Sequence, residues 1–194
     1  MDTVDLKAVV ESLLLAAGEP LPLTKIAEIL EVEKAGLRQI LEELTLEYVA
    51  QGRGFRLEEI AGGYQLRTPL EHAEWVRRLN RSRPFKFSRA ALETLAIVAY
   101  RQPLTRGDIE YLRGVDSGGV LRTLLEKHLV RILGKKDVPG RPIIYGTSPQ
   151  FLEMFGLNSL SQLPPLKEVG ALADTSLEPM LVEEGMGSLP SDPS

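Results

Sequence analysis

The residues that could do covalent or metal chemistry are sparse in this chain. There is no cysteine, and the two histidines, His72 and His128, stand far apart in sequence. That excludes disulfides, thiolate zinc sites and a cysteine nucleophile. No Gly-x-Ser-x-Gly run occurs, and the serines lie mainly at helix starts and toward the C-terminus. "GVDSGG" lacks the Gly-Lys-Ser/Thr ending of a phosphate loop, and "GKKD" lacks the hydroxyl that would hold magnesium. The first reads as a turn with a helix cap. Carboxylate pairs such as Glu42-Glu43 fall on the solvated side of a predicted helix. His128 follows a helix and suits a C-cap position with positive φ. The prediction is no catalytic residue, no cofactor and no metal, hence no enzyme. The remaining chemistry is recognition. Its most distinctive candidate is the basic loop "GKKDVPGRPIIYGTSP", Gly134 to Pro149.

What must position that loop is read from the rest of the chain. The 194 residues carry a net charge of −4, 43% apolar and 26% charged residues, an ordinary globular balance. The N-terminal run is acidic where a secretory signal would be basic. No stretch approaches the roughly 18 apolar residues of a membrane span. The expectation is a cytoplasmic protein. An apolar stripe (Leu6, Val9, Val10, Leu13, Ala17) predicts a helix from Leu6 to Ala17. Thr24 is expected to cap a short helix to Leu30. Leu37, Ile40, Leu41, Leu44 and Tyr48 predict a longer helix over 33–49. "FRLEEI" and "YQLRT" alternate around Gly62-Gly63 as a β-hairpin. Thr68, Pro69 and Glu71 then spell a capping box before a helix to Leu79.

The same order recurs. Ser88 opens a helix that Pro103 ends, and Thr105 with Asp108 opens a short one. Asp116 or Ser117 starts a third, two strands flank the basic loop, and Thr147 with Gln150 caps the last helix. "ESLLLAAGEPLPLT" parallels "ETLAIVAYRQPLT", and "QLRTPLE" parallels "IYGTSPQ". Three helices followed by a hairpin is the winged-helix arrangement. The predicted fold is mainly α with small β-hairpins (α+β), built as two tandem winged-helix domains. Residues 1–80 form the first domain, 81–89 a basic linker and 90–166 the second. Residues 167–194 form an acidic tail, predicted to be disordered, with one Lys against six acids.

Winged helices suggest DNA, and a tandem winged-helix DNA-binding regulator is the competing reading. The predicted third helix of the first domain carries Lys34 and Arg38 against Glu33, Glu42, Glu43 and Glu47, which opposes a phosphate backbone. The basic residues cluster instead in the linker and second wing. Arg81, Arg83, Lys86, Lys135 and Lys136 are the candidates for weak DNA contact. A second signal is surplus apolar surface. Ala8, Leu14 and Leu15 widen the first helix beyond one face, and "AALETLAIVAY" has only Glu93 and Thr94 as polar positions. A half of roughly 75 residues buries little more than half of its unfolded surface. Those faces must therefore pack on the other domain or on another chain. Ala8, Leu14 and Leu15 are the candidate dimer interface.

The runs "ETLAIVAYRQP", "RGV", "VLRTLL", "DVPGRP" and "YGT" in the second half, with "ESLLLAAGEPL" and "GGYQLRT" in the first, resemble segregation and condensation protein B. That family is the accessory subunit of the bacterial SMC complex, and the resemblance covers residues 4–166. One departure is His128, where the family usually has glycine. The resemblance implies a homodimer paired mainly through the N-terminal domains, and binding of the kleisin (segregation and condensation protein A). The kleisin bridges the SMC ATPase heads in chromosome condensation and segregation. It implies a nucleoid association made through that complex, with ATP hydrolysis left to the SMC partner. On this footing the kleisin-binding candidates are Tyr100, Arg101, Gln102 and Pro103; Arg113, Gly114 and Val115; and Asp137, Pro139, Gly140, Arg141 and Pro142. Pro139 and Pro142 fix backbone angles, Gly140 permits the turn, and Arg141 offers a forked cation that can also pair with Asp137.

Overall fold

The computed structural model describes residues 3–80 and 86–165. The tail and the linker residues 81–85 lie outside the described residues. Helices α1 (Thr3–Ala17), α2 (Leu23–Leu30) and α3 (Lys34–Ala50) lead into the hairpin of β1 (Arg56–Ile60) and β2 (Gly63–Arg67). A 3₁₀ turn, Leu70–His72, and α4 (Ala73–Asn80) follow. The core of this half joins Val10 and Leu14 of α1, Ile26 of α2, Leu57, Tyr64, and the whole predicted stripe of α3. Each such aliphatic side chain, fully withdrawn from water, contributes about 1.5–3 kcal/mol.

The second half repeats the plan. α5 (Arg89–Arg101) precedes a two-residue strand, β3 (Leu104–Thr105), then α6 (Arg106–Arg113) and α7 (Gly118–Glu126). β4 (Val130–Lys135), β5 (Ile143–Thr147) and α8 (Pro149–Phe155) complete it. The sheet order is β3-β5-β4, all antiparallel, with a bulge between Ile132 and Gly134. The internal repeat seen in the sequence returns as pairing. Leu104 lies opposite Tyr145 in β5, and Leu21 makes the matching bridge to Tyr64 in β2. Both halves are winged-helix units, the fold the sequence predicts.

Helix starts test the sequence reading position by position. Ser88 caps α5 by accepting from Ala91 N, and Thr105 with Asp108 forms the predicted capping box of α6. Three other expectations are corrected. Thr24 lies inside α2, whose first free amides at Lys25 and Ile26 bond to Pro22 O instead. Thr68 and Glu71 make no capping box: Pro69 precedes the 3₁₀ turn, and Glu71 is drawn off to Arg56 at 2.5 Å. Thr147 ends β5, and its neighbour Ser148 caps α8 by accepting from Phe151 N. At the end of α7, His128 adopts φ 56°. Its N–H donates to Leu125 O and that of Leu129 to Leu124 O, a Schellman closure with histidine where glycine is usual.

The hairpin turn is Ala61-Gly62, both at positive φ, one residue earlier than the Gly62-Gly63 pair predicted. Gly63 belongs to β2 for a different reason: a Cβ there would meet Leu21 backbone atoms at 2.7–2.9 Å. The described residues up to Ser161 form one compact unit, and the two halves are clasped at this hairpin. Ala61 N donates to Leu157 O (2.9 Å), and Gly62 N donates to Asn158 Oδ1 (2.8 Å). Gln65 Nε2 reaches Glu153 Oε1 (2.9 Å), and Arg67 Nη1 reaches Glu153 O (3.2 Å). Gly63→Ala must displace backbone rather than a flexible side-chain end. Its expected effect in urea unfolding is a loss of about 1–3 kcal/mol; an unchanged midpoint would contradict the close approach.

Candidate functional site

The wing tip is shaped as its sequence suggests. Residues 131–141 are all exposed, Gly140 has φ 83°, and Arg141 itself takes φ 39° with its N–H bonded to Val138 O at 2.8 Å. Lys136 N closes the loop on Pro142 O at 2.8 Å. Arg141 and Asp137 form no ion pair with each other, so the guanidinium stays available to a partner.

The three sequence segments do not gather at this tip. Thr105 faces Ile144 at the wing end of β5, whereas Gln102 sits at the other end beside Thr147. There the Gln102 amide is a clamp. Its Oε1 accepts from Thr147 N (2.8 Å), and its Nε2 donates to Thr147 Oγ1 (2.9 Å). The peptide from Gln102 to Pro103 is cis. Gly146 makes room for the clamp, because a Cβ there would lie 2.5 Å from Gln102 Oε1 and 2.7 Å from Leu133 Cδ1. Tyr100 is half-buried, while Arg101 and Pro103 are exposed nearby.

Arg113 is placed differently from the expectation of a partner contact. Its side chain is only 7% exposed. Nη1 donates to Ser117 Oγ at 2.9 Å, and Nη2 lies 3.5 Å from the Glu93 carboxylate. It pins α5, α6 and the turn before α7 together, leaving Gly114 and Val115 exposed beside it. The turn is further fixed by charge. Arg106 pairs with Glu110 (2.6 Å) and Asp116 (2.5 Å), and Glu110 Oε1 accepts from Ser117 N (3.0 Å). The Ser117 amide, then Arg106, holds the Glu110 carboxyl below the usual carboxylate range. Hydrogen bonds from the Thr105 backbone and hydroxyl do the same for Asp108.

On α1 the three candidate interface residues separate. Leu14 is 2% exposed and belongs to the core cluster that holds Ile26, Leu37 and Leu41, so it offers no surface to a partner. Ala8 is exposed and Leu15 is 75% exposed. Both line an open groove of about 640 Å³ with Tyr48, Phe55 and Leu66. Tyr48 donates to Glu11 Oε1 at 2.6 Å, and burial followed by that carboxylate pushes its phenol well above the ordinary tyrosine range. Lys7 binds Glu43 at 3.0 Å and also Glu47, tying α1 to α3; these bonds raise its ammonium pKa. The helix ending near Leu79 is present as α4, but sequence reasoning missed its outward apolar pair: Trp75 is 62% and Leu79 is 81% exposed. Their i, i+4 spacing in "AEWVRRLN" was the available signal.

The predicted DNA candidates divide as well. Lys86, Lys135 and Lys136 are exposed, and Arg81 and Arg83 lie outside the described residues. The outer face of α3, which would enter a major groove, presents the cation Arg38 with Glu42 and exposed Leu46 and Val49, a poor match to phosphate. Among the described residues no cluster of three or more His, Cys, Asp or Glu is placed to hold a metal ion. None of their helices is long and apolar enough to cross a membrane.

Against known proteins, residues 8–166 match the family described as segregation and condensation complex subunit ScpB. Segregation and condensation protein B of Syntrophotalea carbinolica is 62% identical over 176 residues, covering 91% of this chain and 89% of that one. The protein of the same name from Moorella thermoacetica is 46% identical over 189 residues, covering 97% of this chain and 95% of its own. A crystal structure of a dimer of the ScpB N-terminal domain complexed with ScpA peptide is 40% identical. It covers 38% of this chain and 91% of that one, with a TM-score of 0.36. That superposition is loose, and the sequence matches carry the relationship.

Two predictions separate bracing from docking. Arg113→Ala should destabilise the chain by about 2–4 kcal/mol in urea unfolding, because it breaks a buried network. Arg141→Glu should move the same midpoint by less than about 0.5 kcal/mol. Acid should weaken the second half through Asp108. Its folded pKa lies below that of an ordinary aspartate, so its contribution is complete above the ordinary value and fades as pH falls through the lower folded pKa. Asp108→Asn should flatten the fall in stability as pH drops below the ordinary aspartate range of about 4; an unchanged slope would exclude the cap as its source.

Proposed function

The chain belongs to the family of segregation and condensation complex subunit ScpB, and from that membership we propose that it is a non-enzymatic scaffold. It pairs with itself and binds the kleisin of an SMC complex, supporting chromosome condensation and segregation. It works in the cytoplasm and reaches the nucleoid through that complex. The observation that carries this reading is the match itself, which runs across both winged-helix halves without a break. The exposed apolar side chains of α1 and α4 support it, since surface of that kind is normally covered by another polypeptide.

Residues 1–80 are the pairing domain and 90–166 the partner-binding domain, joined by the linker 81–89. Ala8 and Leu15 belong to the pairing surface, and Trp75 and Leu79 are further exposed apolar side chains of the same half. In the second half the wing residues Asp137, Pro139, Gly140, Arg141 and Pro142, with Gly114, Val115, Tyr100, Arg101 and Pro103, are the surface left for the kleisin. Gln102 and Arg113 serve it by holding the scaffold in shape.

The test is copurification with the kleisin followed by mass determination of the assembly. A dimer that retains the kleisin is the expected outcome; a strict monomer at high concentration that ignores the kleisin overturns the proposal. Leu15→Glu should weaken self-association at least about tenfold in sedimentation equilibrium without unfolding the chain, the scale of a lost apolar contact. Leu14→Glu should unfold the first half instead.

A further inference from the structure

β4 is the outer strand of its sheet, and among the described residues no strand pairs with its far side. The hydrogen bonds at its two ends fix which groups turn outward. Leu129 O accepts from Ser148 N, and Lys136 N donates to Pro142 O, so both residues bond inward. Antiparallel pairing alternates, and the bulge between Ile132 and Gly134 shifts the count by one residue, so Val130, Ile132 and Lys135 direct their N–H and C=O groups to the open side. Ile132 is 54% and Leu133 is 44% exposed, an apolar pair in the middle of an otherwise polar edge. Arg131 precedes that pair with its Nε donating to Thr147 O (3.2 Å), and Lys135 and Lys136 follow it, with Asp137 the single acid from 131 to 137. The bulge between Ile132 and Gly134 and the flanking cations guard this edge against a copy of itself, while the outward groups of Val130, Ile132 and Lys135 can still meet a strand of opposite charge.

The charges select the occupant. A second copy of the same edge would set these cations against their own kind. Duplex DNA could use the cations but neither the apolar pair nor the outward backbone groups. We propose that the open edge of β4 takes an extended acidic segment of the kleisin as an added strand, with carboxylates facing Lys135 and Lys136 and an apolar pair against Ile132 and Leu133. The proposal rests on the kleisin-binding reading and specifies how that binding is made. Strand addition of this kind takes its affinity from main-chain bonds and its selectivity from alternate side chains.

The experiment uses the full chain and the intact kleisin, measured by calorimetry. Ile132→Pro removes one outward donor while leaving the inward ladder to β5 intact. It should weaken kleisin binding at least about tenfold, the scale of a lost backbone bond with its neighbours. Lys135→Glu with Lys136→Glu keeps the backbone unchanged; it should weaken binding comparably and reduce its salt dependence. In the unsubstituted complex, amide exchange at Ile132 and Lys135 should slow relative to the free chain, while Arg131, already bonded inward, should change little. Wild-type affinity in both variants overturns the edge proposal and leaves the kleisin-binding reading standing. Failure of the unsubstituted chain to bind the kleisin overturns both. Loss of duplex DNA binding with kleisin binding intact in the double-lysine variant makes the edge a nucleic-acid contact and overturns the proposal.

Discussion

Each half of this molecule is too small to wrap its own most apolar helix. α1 gives Val10 and Leu14 to the core and leaves Leu15 in solvent. α5 buries Leu95 and Val98 and leaves Leu92 partly uncovered. A unit of roughly 75 residues has few further layers to offer, because surface grows relative to volume as a domain shrinks. The remaining features can be read as responses to that shortage: a helix, α4, that carries its apolar residues outward, and two halves that borrow hydrogen bonds from each other at one hairpin.

Polar side chains do the fixing that the small cores cannot. Gln102 holds the end of α5 to β5, and its reach requires the bare backbone of Gly146. Arg113 holds α5 to the turn between α6 and α7. Lys7 and Tyr48 hold α1 to α3. Each links elements separated in sequence, so the chemistry-bearing residues of this chain are largely engaged in architecture. What remains free is exposed on the wing and on the outer helix faces, where a second chain can reach it.

Much of the fold was legible because its signals are local. The stripe of α3, the capping box at Thr105 and Asp108, and the left-handed His128 all follow from residue type and spacing. The repeat was legible too, since Leu21 with Tyr64 and Leu104 with Tyr145 hold equivalent positions. Caps failed where a neighbour competed: Pro22 displaced Thr24, Arg56 drew Glu71 away, and Ser148 stood one residue closer to α8 than Thr147. The site was harder. Whether Leu14 or Leu15 faces inward depends on a rotation of about 100° per residue, which an almost wholly apolar helix does not specify. Arg113 looked like a surface cation, and only the fold reveals that Glu93 and Ser117 enclose it.

The hydrogen bonds from Ala61, Gly62, Gln65 and Arg67 to the chain around Glu153–Asn158 have a mechanical meaning. Among the described residues, this hairpin joins the two halves in addition to the covalent chain. Tension applied to one half therefore divides between a peptide tether and a small set of non-covalent bonds loaded together. Bonds that share a load must all lengthen before one half can turn away from the other, so the hairpin ties the orientation of one half to that of its neighbour.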